Sequence, residues 1–171
     1  TLDPATAISI FGVQIQNATK SFLTEISPTN EITTDAAESW EASPDAKQWR
    51  FKIARGQEFH NGKPLTAKDV VATLNYHRAE SSTSAAKPLL SDVTNVEADG
   101  DTVVITLSAG NADMPFIMSD YHLGILPADE SGGVDAASGI GGGPYKIEKF
   151  QAGVAADLVR HDKYHRADQA F

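Results

Sequence analysis

The chain contains no cysteine, no apolar run approaching a membrane span and few cations for its acids. Without cysteine there are no disulfides and no thiolate metal sites, while the redox compartment stays open because oxidising compartments permit disulfides without requiring them. A helical membrane span needs about 20 consecutive apolar residues, and none is present. Lys and Arg number 14 against 23 Asp and Glu, a formal charge of −9, so a phosphate backbone would be repelled and nucleic-acid binding is not expected. No signal-peptide pattern is read at Thr1, so any export signal is expected to lie outside these residues. What remains is a globular chain of 171 residues with 41% hydrophobic content, enough to build a core for one domain or parts of two.

The clearest local signals run from Trp49 to Leu74. Trp49, Phe51 and Ile53 alternate with Arg50 and Lys52, which predicts a half-buried strand with its cations outward. Asn61-Gly62 tolerates positive φ and predicts a tight turn. Thr66 followed by Asp69 predicts a near capping box, with Leu65 and Val70 as a hydrophobic staple, so a helix starts there and carries Val70, Val71 and Leu74 inward.

Upstream, Asp3-Pro4 favours a turn and Ser9 can cap a helix in which Phe11, Ile15, Ala18 and Phe22 recur at helical spacing, a stripe read as facing the core. Pro28 to Glu31 is a turn signal, and 32–40 follows as a short strand or turn. Trp40 and Trp49 are read as core rather than as ligand platforms. Ser81 to Lys87 reads as a mobile polar connection, and Asp99-Gly100 between two β-rich runs predicts a hairpin. These elements form an α+β unit from about Leu23 to Asn111. Downstream, Ser119-Asp120-Tyr121-His122 gathers polar and aromatic groups ahead of an apolar run, which suits either a surface turn or a binding turn. The glycine run 139–143 does not follow a strand and open a helix, so a dinucleotide loop is rejected in favour of a loop where backbones approach closely. Tyr145 to Glu148 and Ala155 to Arg160 are expected as strands.

Catalytic chemistry finds little purchase. His161 and His165 are four apart, but no Glu follows His161 as a His-Glu-x-x-His metal site requires. There is no Gly-x-Ser-x-Gly elbow for a nucleophilic serine. A small hydrolase or metal-dependent enzyme is therefore the alternative, and the chain is read as a non-enzyme with no catalytic residue, no metal and no cofactor.

Ala37-Glu38-Ser39-Trp40-Glu41, the turn at Ser43-Pro44-Asp45, and Phe59-His60-Asn61-Gly62-Lys63-Pro64-Leu65-Thr66-Ala67-Lys68-Asp69-Val70, in that order, are similar to the solute-binding proteins of peptide/nickel-type ABC importers, family 5. Leu2-Asp3-Pro4 and Gly143-Pro144-Tyr145-Lys146 extend the resemblance over most of the chain, although Gly142 stands where Thr is common and His165 where Trp is common. The resemblance implies a periplasmic-binding-protein-like lobe plus a small α+β subdomain, an N-terminal fragment of a two-lobed protein of mixed α/β class. The expected division is 1–22 as the first part of lobe I, 23–112 as the subdomain and 113–171 as the return to lobe I. Since such proteins are considerably longer, an excised piece that binds its solute more weakly than the whole is expected. The resemblance further implies a bacterial, exported protein, periplasmic or at the cell surface, monomeric, with a small molecule or short peptide as ligand and a membrane permease as partner. Ser9, Ile10 and Phe11 after Leu-Asp-Pro, and Ser119, Asp120, Tyr121 and His122, are the residues it places at the ligand.

Overall fold

Strand β4 (Gln48–Ile53) sends Trp49, Phe51 and Ile53 into the interior and leaves Gln48 and Lys52 outside, the alternation its sequence predicts. In the computed structural model, which describes residues 1–169, β4 is central in an antiparallel sheet with β3 (Ala37–Ala42), β6 (Thr102–Leu107) and β5 (Val93–Asp99), in the order β3-β4-β6-β5. The β5–β6 hairpin closes between Asp99 and Thr102, with Gly100 at φ +60. Helix α2 (Ala67–Arg78) covers this sheet against β5 and β6, burying Val70 and Leu74, with Leu65 buried beside its first turn. Complete burial of a side chain such as Phe51 contributes about 1.5–3 kcal/mol.

Asp69 fixes where α2 starts. Its carboxylate accepts the Thr66 N–H and the Thr66 hydroxyl, each at 2.8 Å, and reaches out of the helix to the Ala128 N–H, also at 2.8 Å. A local capping residue thus ties in a segment 59 positions away.

Two hairpins flank the sheet: β1 (Thr24–Ile26) with β2 (Ile32–Thr34), turning through Asn30 at φ 62, and β7 (Tyr145–Gln151) with β8 (Ala155–Arg160). Helix α1 (Ile10–Thr19) packs against β7 and against the single turn Tyr121–Leu123. The short helix α3 (Met114–Ile117) packs on β1 and adds Met114 to a core that reaches from Leu23 to Ile125.

Two expectations are corrected. The stripe Phe11, Ile15, Ala18, Phe22 is not the buried face of α1: Gly12, Ile15, Gln16 and Thr19 are buried, Phe11 is exposed and Phe22 lies beyond the helix end. Apolar spacing misleads here because the helix buries two polar residues, Gln16 and Thr19, whose bonds go to the Leu2 and Ile15 carbonyls. The connection 81–87 is pinned rather than loose, since the Ser84 hydroxyl bonds His77 at 2.6 Å, Ala85 N–H donates to Ala5 O and Lys87 Nζ to Glu80 O.

Candidate functional site

The end of α1 is locked to the glycine run by backbone contact. Gly143 N–H donates to Thr19 O at 3.0 Å, Ser21 Oγ donates to Gly142 O at 2.8 Å, and a Cβ on Gly141 would stand 2.0 Å from Thr19 O. Only glycine permits that approach, as expected of this loop. His60 grips the same loop: its Nδ1 accepts the Gly141 N–H at 3.2 Å, so the neutral ring carries its proton on Nε2 and donates to Gly143 O at 3.1 Å. Burial pulls this imidazole down to about 4, which keeps it neutral in that role. The loop in turn sets α1 beside the start of β7.

Between α1, the β1 turn and Tyr145 lies a concavity of about 840 Å³. Gln14, Asn17 and Ala18 supply its helical wall, and Glu25, Tyr164 and Arg166 one rim. Arg166 grips Glu25 with two bonds of 2.6 and 2.9 Å, and donates to Asp35 and to the Tyr164 oxygen at 2.9 Å each. Asp35 also accepts the Phe22 N–H at 2.7 Å. Hydrogen bonding to Glu25 pushes Arg166 above its ordinary value, while burial and then the charge of Asp35 push the Tyr164 hydroxyl up, so it remains protonated. One guanidinium faces two carboxylates at this rim, and Lys20 also lines the concavity. Uncharged donors and acceptors, including Gln14, Asn17 and Ser119, make up much of the remainder.

Ile10 and Phe11 are 80% and 42% exposed, and at 100° per residue they stand on the same side of α1 as Gln14, Asn17 and Ala18. The first turn thereby extends the helical wall with apolar surface. Ser9 caps the helix, its Oγ accepting the Gly12 N–H at 3.1 Å. Ser119 lines the concavity and donates to Phe116 O at 2.7 Å. Asp120 accepts from the His122 N–H at 2.9 Å and pairs with His122 Nδ1 at 2.7 Å, and the Tyr121 ring lies 3.9 Å from that imidazole. Ser119 therefore shares a surface with α1, whereas Asp120, Tyr121 and His122 are not among the residues that line the concavity, and Asp120 and the buried His122 engage each other. Glu25, Asp35, Tyr164 and Arg166 were not read from sequence as site residues; Arg166 lies 141 positions from Glu25, and no local pattern joins them. His161 and His165 part company: one packs edge-on against His60 at 4.9 Å, the other lies 3.3 Å from Asp35. Among the described residues no group of three or more acidic or histidine side chains is placed to hold a metal.

Residues 31–170 match the family described as bacterial extracellular solute-binding proteins, family 5 Middle. The chain is 35% identical over 121 residues to the uncharacterized protein YhjP of Bacillus subtilis (strain 168), covering 70% of this chain and 20% of that protein. It is 29% identical over 142 residues to a putative ABC transporter peptide-binding protein of Brucella ovis, covering 78% of this chain and 27% of the other. Among solved structures, the binding protein AgaA in complex with agropinic acid, from A. tumefacien R10, superposes with a TM-score of 0.87 at 27% identity, covering 97% of this chain and 34% of that one. The chain thus spans between a fifth and about a third of the length of these relatives.

Proposed function

Because the chain belongs to the bacterial extracellular solute-binding proteins of family 5, we propose that it carries one wall of the solute cleft of an ABC importer's binding component. The whole protein captures a short peptide outside the cytoplasmic membrane, in the periplasm or at the cell surface, and hands it to a membrane permease. It works as a monomer and performs no catalysis. The observation that carries this reading is the outward face of α1, where Gln14, Asn17 and Ala18 line a concavity of about 840 Å³ and exposed, apolar Ile10 and Phe11 precede them on the same side of the helix. A mostly preformed concavity with apolar surface and a few placed polar groups is what small-molecule recognition requires. Ser9, Ile10 and Phe11 take one side of the solute, and Ser119, Asp120, Tyr121 and His122 the other. The peptide assignment leans on the name of the Brucella relative, while the agropinic acid held by AgaA supports a scaffold that also suits other small polar solutes.

In this reading residues 1–22 and 113–171 belong to the lobe that carries the cleft wall, and 23–112 form a subdomain beside it. Closure of a second lobe over the solute is a hinge transition, in which bound and open states differ by the contacts the solute bridges.

Titration of the intact protein with mixed tri- to pentapeptides tests this. Binding raises the melting temperature, since a ligand that binds only the folded state stabilises it by mass action, and mass spectrometry recovers the peptides uncut. Ile10→Ser, at an exposed position, is expected to weaken binding at least severalfold with the unliganded melting temperature unchanged. Peptide cleavage, or no melting shift with any peptide at millimolar concentration, overturns the assignment.

A further inference from the structure

The Arg166 guanidinium spends its Nη protons inside the protein: Nη1 on Glu25 at 2.6 Å, and Nη2 on Glu25, Asp35 and the Tyr164 oxygen at 2.9 Å each. A guanidinium donates only, so the Tyr164 oxygen is the acceptor in the last of these. The phenol's own proton is left over. Among the described residues it has no acceptor, and the hydroxyl keeps it because burial, then the charge of Asp35, push its ionisation up. The ring is held as well as the oxygen. It packs edge-on to His165 with centroids 4.6 Å apart, and its centroid lies 5.8 Å from the guanidinium carbon of Arg166.

Tyr164, Arg166, Glu25 and Asp35 all line the concavity beside α1. Two other hydroxyls there differ from that of Tyr164. Thr24 gives its proton to Pro115 O at 2.6 Å and Ser119 gives its own to Phe116 O at 2.7 Å, so toward a solute each is left to accept. The amides of Gln14 and Asn17 make no side-chain hydrogen bond among the described residues, so no polar partner sets their direction. A donor whose oxygen is already anchored and whose proton is uncommitted loses little freedom when a ligand takes it up. We propose that the Tyr164 hydroxyl donates a hydrogen bond to an oxygen of the solute and that Arg166 is the positioning residue that holds it there. The role rests on the concavity being the solute cleft. It selects solutes that bring an acceptor oxygen to this rim, either a main-chain carbonyl or a terminal carboxylate.

Calorimetry on the intact protein tests this with the tightest-binding peptide recovered from the tri- to pentapeptide mixture and with its C-terminal amide. Tyr164→Phe removes the donor but leaves Arg166 Nη2 both carboxylates as acceptors, so the unliganded melting temperature is expected to hold. Affinity is expected to fall about three- to tenfold, the worth of one hydrogen bond. A fall with both peptides supports the role with a main-chain carbonyl as acceptor, and a fall confined to the free acid supports it with the terminal carboxylate. Tyr164→3-fluorotyrosine, a more acidic phenol and so a stronger donor, is expected to bind more tightly than the unsubstituted protein at about pH 6, where the phenol is un-ionised. Weaker or equal binding overturns the role, since a hydroxyl that accepts from the solute weakens as it grows more acidic. This arm decides alone if Tyr164→Phe does not fold. Equal dissociation constants for the unsubstituted protein and Tyr164→Phe overturn the role and leave the peptide reading standing, whereas no peptide binding by the unsubstituted protein overturns both.

Discussion

The Lys20 ammonium donates to the Ile140 carbonyl at 2.6 Å across 120 positions of chain, with the lysine's aliphatic stem against Gly124 and Gly141. Lysine is rarely buried so fully, and its burial holds the group down to about 7, against a smaller opposing pull from Asp3.

That relationship predicts a stability profile on the alkaline side. Between about pH 7 and 10.5 the unfolded chain keeps the Lys20 proton that the folded chain has released, so the contribution of Lys20 to stability rises with pH across this window and is flat below it. Lys20→Met removes the rise. Urea unfolding at pH 7, 8.5 and 10 measures it, and an unaltered slope in the variant contradicts the buried-charge account.

His60 predicts the acid side. Its folded value of about 4 lies below the ordinary 6.5, so the unfolded chain takes up protons first and stability falls as pH drops from about 6.5 to 4. His77 is held down to about 4 as well and acts over the same window. His60→Asn should therefore reduce the fall in urea midpoint between pH 7 and 4 by a substantial part without abolishing it. A variant whose midpoint falls as far as that of the unsubstituted chain rules out this role.

Gly141→Ala sets a new Cβ 2.0 Å from Thr19 O, backbone against backbone, and overpacking of this kind costs about 1–3 kcal/mol or more. Gly153→Ala, at φ +75 with open space around it, should cost only about 1 kcal/mol for its left-handed conformation. Thermal unfolding of both should rank the first clearly below the second; equal shifts would mean the loop does not rest on α1.

Asp69→Ala strips the capping box and orphans the Ala128 N–H together, for an expected loss of about 2–4 kcal/mol. A loss under about 0.5 kcal/mol by denaturant titration is incompatible with Asp69 holding both segments.

For the proposed subdomain 23–112, native-state hydrogen exchange should find a cooperative unit with its own opening free energy, containing the four-stranded sheet and α2. Even protection from Ile10 to Arg160 would argue for one undivided unit.

What the sequence determined by itself was local and periodic. The alternation of Trp49, Phe51 and Ile53, the Thr66–Asp69 cap, the Asp99-Gly100 turn and the close approach at 139–143 each rest on residues within a few positions, where backbone sterics and side-chain reach decide the outcome. Only the tertiary structure decided which face of α1 is wet, because Gln16 and Thr19 become tolerable in the interior once distant or preceding carbonyls accept their protons. It alone joined Arg166 to Glu25 and Asp35, and Lys20 to Ile140. A charge pair across more than a hundred positions leaves no periodicity in the chain; it exists because folding removes water from between groups that the sequence keeps apart.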